Sequence, residues 1–139
     1  MGLSEDKKKA IVKYRLDKAK DTLFDVNVSI QNNRWNNAAN RLYYACFYAA
    51  MALLINDGYE AHTHNGVKTL LGLHYVKNGV ISEEIIQAYR KMFNLRQKGD
   101  YDDLAVINED DVKPLLEPAE KFIAEIENLI NKPNDYAIP

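Results

Sequence analysis

Position 96 is the most unusual residue in the chain. Ile81, Ile85, Tyr89 and Met92 recur at steps of four, four and three, so they share one face of a helix. The next position on that stripe is Arg96, followed at once by Gln97, Gly99, Asp100 and Tyr101. A guanidinium in line with a buried face has two uses. It can close the last turn of its own helix, bonding free carbonyls and pairing with Asp100, with Gly99 as a left-handed C-cap. It can instead project into a cleft and grip a phosphate through a planar fork of N–H donors.

A second set lies on an apolar segment upstream. Arg41, Tyr44 and Tyr48 fall at i, i+3 and i+7, one face of a helix. Aromatic residues there serve packing more often than ligand binding, but buried tyrosine hydroxyls want partners. The face suits either a polar groove or a subunit interface.

Other chemistry is poorly supported. His62, His64 and His74 are the only histidines, and their spacing matches no zinc site. No metal or cofactor is expected. Glu83 with Glu84, and Asp102 with Asp103, are adjacent pairs that point apart on a helix, so neither reads as a carboxylate dyad. There is no glycine-rich phosphate loop and no nucleophile–base order worth citing.

The elements that position these residues are helical throughout. Val12, Leu16, Ala19, Leu23, Val26 and Ile30 alternate steps of four and three across a first helix, about residues 5 to 31. "QNNRWNN" breaks it, because asparagine favours caps and turns. A second helix runs from about Trp35 to Asn56 and is apolar nearly all round from Leu42, as a central helix must be. A third runs from about His64 to Lys77, with Val67, Leu70, Leu71 and Val76 inward. Asn78-Gly79 ends it. Ser82 caps a fourth helix that reaches about Lys98, where Gly99 stops it. Asn108 or Asp110 opens a fifth, with Val112, Leu115, Ala119, Phe122, Ile126 and Leu129 inward. Pro114 is tolerable near its start, and Pro118 should bend it. The pattern predicts an all-α up-and-down bundle of four to five helices. It forms one domain over 1–132, with a mobile tail at 133–139.

Bulk properties narrow the setting. The chain has 139 residues, 47% of them apolar, and a formal net charge of −2, which disfavours a general polyanion binder. The single cysteine, Cys46, excludes a disulfide framework and fits a reducing compartment. The apolar run Leu42 to Ile55 is short for a bilayer span, and the charged start of the chain is unlike a signal peptide. A cytoplasmic protein without membrane attachment is expected.

Three segments together resemble the HEPN superfamily: "NRLYYACFYAAMALL", "HTHNGVKTLLGLHYVKNGVI" and "LRQKGDYDD". The last is similar to the Arg-x-x-x-Asp-Tyr ending of small stand-alone prokaryotic members. The resemblance spans about residues 8 to 130. It implies a helical bundle, usually a homodimer packed around the motif helices. Many members are metal-independent ribonucleases of toxin–antitoxin or defence systems, and others bind nucleotides or RNA without cleaving. Many are encoded beside a minimal nucleotidyltransferase that acts as antitoxin.

The ribonuclease motif is an arginine, a polar residue, and a histidine about four to six positions after the arginine. Arg96 and Gln97 match its start. Tyr101, preceded by Asp100, stands where the histidine would be. A tyrosine of pKa about 10 is a poor base and an aspartate of about 3.9 a poor acid. Losing a proton shuttle forfeits about 10²–10⁴ in rate.

The expectation is therefore a binding module, non-catalytic or weakly catalytic. It would use Arg96, Gln97, Asp100, Tyr101, Arg41, Tyr44 and Tyr48 to hold a nucleotide, RNA or a partner nucleotidyltransferase. The alternatives are an endonuclease toxin with a degenerate motif and a purely structural dimeric scaffold.

Overall fold

A computed structural model describes residues 4–101, 104 and 106–132. The expected tail at 133–139, and Asp102 with Asp103, lie outside the described residues. Five helices form the fold in chain order: α1 Glu5–Gln31, α2 Trp35–Asn56, α3 His64–Leu71, α4 Glu83–Tyr101 and α5 Glu109–Asn131. No strand occurs among the described residues.

Local chemistry explains most boundaries. The Ser4 hydroxyl accepts from the Lys7 N–H, and Glu5 and Asp6 sit in the positive first turn of α1. Asn33 adopts φ 55°, the left-handed conformation that lets the chain reverse into α2. Thr63 caps α3 through the Gly66 N–H. Ser82 caps α4 through the Ile85 N–H. Asn108 and Asp111 form a reciprocal capping box at the start of α5. That helix then runs without a break through Pro114 and Pro118.

Helix α2 is the axis of the bundle and packs against α1, α3, α4 and α5. Ala38, Leu42, Tyr43, Ala45, Cys46, Ala49, Ala50 and Leu53 are all fully buried. Its small residues let neighbouring helices approach closely. By length and composition alone it could cross a membrane, yet 61% of its most apolar window is buried inside the bundle. One side of it is less covered: Tyr44, Phe47, Tyr48 and Met51 are only partly buried.

Two expectations are corrected. The third helix does not continue regularly to Lys77. After Leu71 it widens into a π turn over Gly72–Val76, closed by the Lys77 N–H donating to the Gly72 carbonyl at 3.0 Å. The widening places Tyr75 in the core, where it is 1% exposed and donates to Asp57 at 2.6 Å.

Gly99 also does not stop α4, which runs on to Tyr101. The positive-φ glycines among the described residues are Gly58 and Gly79. Gly99 is needed for close approach instead: a Cβ there would stand 2.6 Å from Ile107 Cδ1.

Candidate functional site

The last turns of α4 meet the middle of α2 and the first turn of α3. Arg96 enters this junction from the inward stripe of α4 and is 8% exposed. Its Cζ lies 5.6 Å from the Tyr43 ring centre, 5.5 Å from that of Tyr44 and 5.7 Å from that of Tyr101. Three aromatic faces thus surround one cation. Asp100 Oδ2 sits 3.1 Å from Arg96 Nε, but off the N–H axis. The pair is therefore an ion contact, and Nε is buried without a hydrogen bond. Burial opposes the charge, but Tyr44, Asp100, Tyr101 and Tyr43 outweigh it and raise the guanidinium pKa.

His64 reaches the same two tyrosines from the first turn of α3. Its Nδ1 is 2.8 Å from the Tyr43 hydroxyl. Its ring centre lies 5.6 Å from Tyr43, 5.8 Å from Tyr44 and 4.6 Å from Phe47. Burial first, and the Arg96 charge second, hold the imidazole below its ordinary pKa, so it is neutral at pH 7.

Behind it stands a buried phenol pair. Burial pushes Tyr43 up to about 12, with Tyr89 and Arg96 pulling less strongly the other way. The Tyr89 hydroxyl is near enough to Tyr43 to perturb its ionisation, but the geometry leaves it without a true hydrogen bond. Tyr89 is therefore an unmet donor.

The residues singled out from sequence are distributed unevenly over this junction. Arg96, Tyr44, Asp100 and Tyr101 converge. Arg41 stands at the rim, its Cζ 5.3 Å from the Tyr44 ring and its guanidinium donating to neighbouring Asn40 at 2.8 and 3.0 Å. Tyr48 contacts Tyr44 at 5.8 Å but faces α1, where Lys18 Nζ lies 4.7 Å from its ring centre. Gln97 is exposed and makes no hydrogen bond to the described residues of the cluster.

Tyr43, His64 and Phe47 were not among the expected site residues. The tyrosine reads as plain core, and the histidine reads as a helix-start residue. Only the packing of α3 against α2 joins them to Arg96. Among the described residues no group of three or more His, Cys, Asp or Glu side chains could hold a metal ion. Cys46 is fully buried, and burial drives its thiol pKa far up, so it is inert as a nucleophile.

The cluster has the chemistry that would suit an anion. It offers a cation with unmet N–H capacity, a neutral imidazole, and aromatic faces on which a base could stack.

Comparisons with known proteins agree with this architecture. The HEPN domain profile matches residues 12–129. A UPF0332 protein of Thermotoga maritima is 36% identical over 125 residues, 90% of this chain and 95% of that protein. A Methanocaldococcus jannaschii protein named as a candidate toxin is 32% identical, over 82% of this chain and 79% of its own. The solved structure of TT1696 from Thermus thermophilus superposes with a TM-score of 0.73 at 18% identity. It covers 84% of this chain and 96% of its own. With its all-helical fold and this span of similarity, the chain belongs to the HEPN domain family.

Proposed function

We propose that this HEPN protein is a toxin-like binding module that holds a phosphate-bearing ligand, a nucleotide or single-stranded RNA, at Arg96. The observation that carries the reading is Arg96 Nε, buried without a hydrogen bond in a residue that is only 8% exposed. A buried donor left unmet costs free energy unless something satisfies it. Asp100 offsets the charge in part. A phosphodiester oxygen would complete it, and Tyr44 and Tyr101 offer faces for the attached base. The names of relatives support a toxin-like role.

The working form is a homodimer. Its surface would include the half-covered Tyr44, Phe47, Tyr48 and Met51 side of α2, rich in interface-favoured types. A minimal nucleotidyltransferase is the proposed protein partner. Sedimentation at tens of micromolar tests the dimer, and only monomer at that concentration removes it.

The test of binding is fluorescence anisotropy with a labelled single-stranded RNA hexamer and with labelled AMP. We expect saturable binding that Arg96→Ala weakens at least tenfold. If Arg96→Ala changes stability alone, the guanidinium is structural and the protein a scaffold.

One observation favours a second reading, a weak metal-independent endonuclease. His64 meets the same two tyrosine rings as Arg96, and its pKa is held below the ordinary imidazole value, which suits it to accept a proton. RNA cleavage in the presence of a chelator, lost in both Arg96→Ala and His64→Ala, would establish that reading over the first.

A further inference from the structure

We propose that His64 is a second ligand contact of the Arg96 cluster, taking up a proton as an anionic oxygen binds, with Tyr43 as its positioning residue. The proposal rests on the reading of Arg96 as a phosphate contact and adds to it a proton linkage.

The geometry is specific. The Tyr43 hydroxyl occupies Nδ1 at 2.8 Å, which fixes the ring and leaves Nε2 as the nitrogen free to meet a ligand. Among the described residues Nε2 has no hydrogen-bond partner, and it is not buried. Tyr43 is itself immobilised: it is fully buried, packed between the rings of Phe93 at 5.7 Å and Phe47 at 5.7 Å, with Tyr89 behind it. The neutral imidazole then has one defined orientation. With the Tyr43 hydroxyl donating, the ring proton lies on Nε2. With Nδ1 donating to Tyr43, Nε2 is left as a proton acceptor.

The electrostatics make the linkage follow. The groups facing His64 are few. From α2 come the Tyr43 hydroxyl and the rings of Tyr43, Tyr44 and Phe47. From α4 comes the Arg96 cation, whose Nε stands 3.1 Å from Asp100 Oδ2. On its own helix Lys68 lies one turn on, its ammonium over the Phe93 ring at 4.3 Å. The Arg96 charge disfavours the imidazolium, and Asp100 beside it offsets that charge in part. A phosphodiester at Arg96 reverses the balance. The imidazolium, disfavoured in the free protein, becomes favoured in the complex, and both its N–H groups can donate: Nδ1 to Tyr43 and Nε2 to the ligand oxygen. By reciprocity, any proton taken up on binding makes binding tighter at lower pH.

The experiment follows the His64 ring resonances by NMR against pH. One series uses the free protein, the other the protein saturated with a 2′-O-methyl RNA hexamer lacking terminal phosphates. That probe cannot be cleaved through its 2′ position and does not itself titrate between pH 5 and 8. We expect the His64 midpoint to rise by at least about one pH unit on saturation, and affinity to rise several-fold from pH 8 to pH 6. His64→Gln, at a part-exposed position, should flatten that pH dependence. Tyr43→Phe should alter the imidazole nitrogen shifts and reduce the pH dependence while keeping the aromatic packing.

Tight binding that depends on Arg96 but leaves the His64 midpoint unmoved, with His64→Gln indistinguishable from wild type, would overturn the proposal and leave the binding module standing. Absence of hexamer binding at every pH would overturn both.

Discussion

His64 and Arg96 come from different helices and share the same two aromatic neighbours, the Tyr43 and Tyr44 rings. A histidine and an arginine thereby approach one tyrosine pair from two helices, although they lie 32 positions apart in sequence. The arrangement depends on α2 carrying two consecutive tyrosines. Tyr43 turns into the core and Tyr44 lies at its edge, and their rings meet edge to face at 5.2 Å. One residue apart on a helix is about 100°, enough to wrap a cluster from two sides.

The first prediction concerns stability against pH. Burial and the Arg96 charge depress the folded pKa of His64 below the unfolded value of about 6.5. In that window the unfolded chain binds more protons than the folded one, so stability rises with pH. The contribution is whole above about 6.5 and is lost as pH falls from there through the folded pKa. Urea midpoints should decline over that interval in wild type and decline less in His64→Gln. Equal declines in the two proteins would show that His64 is not held neutral by its surroundings.

Arg96→Ala should destabilise the fold as well as weaken ligand binding. The guanidinium sits among three rings, and such a desolvated contact is worth about 2 kcal/mol. Arg96→Lys keeps the charge but not the planar stack, so it should fall between wild type and alanine. Chemical denaturation checks the order. A lysine variant as unstable as alanine would locate the energy in planar stacking alone.

Truncations along α2 should separate its two sides. Leu53 is fully buried, and Leu53→Ala should cost about 2–5 kcal/mol. Phe47 packs on the core from its partly exposed edge, so Phe47→Ala should cost less than the roughly 3–5 kcal/mol of a fully buried phenylalanine. If the homodimer covers this side, the Phe47→Ala loss will grow with protein concentration, because stability is then linked to association. Unfolding scans at several concentrations give the answer.

Local signals made the helices readable. Ser4, Thr63, Ser82 and Asn108 each bond a backbone N–H of the helix they open, and such caps act over three residues. The stripe ending in Arg96 was equally legible, since periodicity alone places that side chain inward. Tertiary proximity was not. Nothing within a few residues of His64 shows that its ring meets Tyr43, because that distance is set by how α3 docks on α2. The π turn at Gly72–Val76 escaped for the same reason: its extra residue is accommodated by packing, with Tyr75 reaching Asp57. Gly99 was legible as a special position but not for the right cause.

That cause yields the last prediction. A glycine holding a left-handed C-cap would make Gly99→Ala costly in any background, because alanine at positive φ is strained. Here Gly99 lies inside α4, where alanine is intrinsically better than glycine by about 1 kcal/mol. What opposes it is one methyl group: the new Cβ would stand 2.6 Å from Ile107 Cδ1, at the movable end of that side chain. The next nearest atom, Ile107 Cγ1, is at 3.9 Å, an ordinary contact. Gly99→Ala alone should therefore lie within about 1 kcal/mol of wild type, propensity and displacement nearly offsetting. Ile107→Val removes the clashing methyl. In that background Gly99→Ala should stabilise by about 0.5–1 kcal/mol, measured as a double-mutant cycle by urea denaturation. A destabilisation of the same size in both backgrounds would return Gly99 to the role of a helix stop.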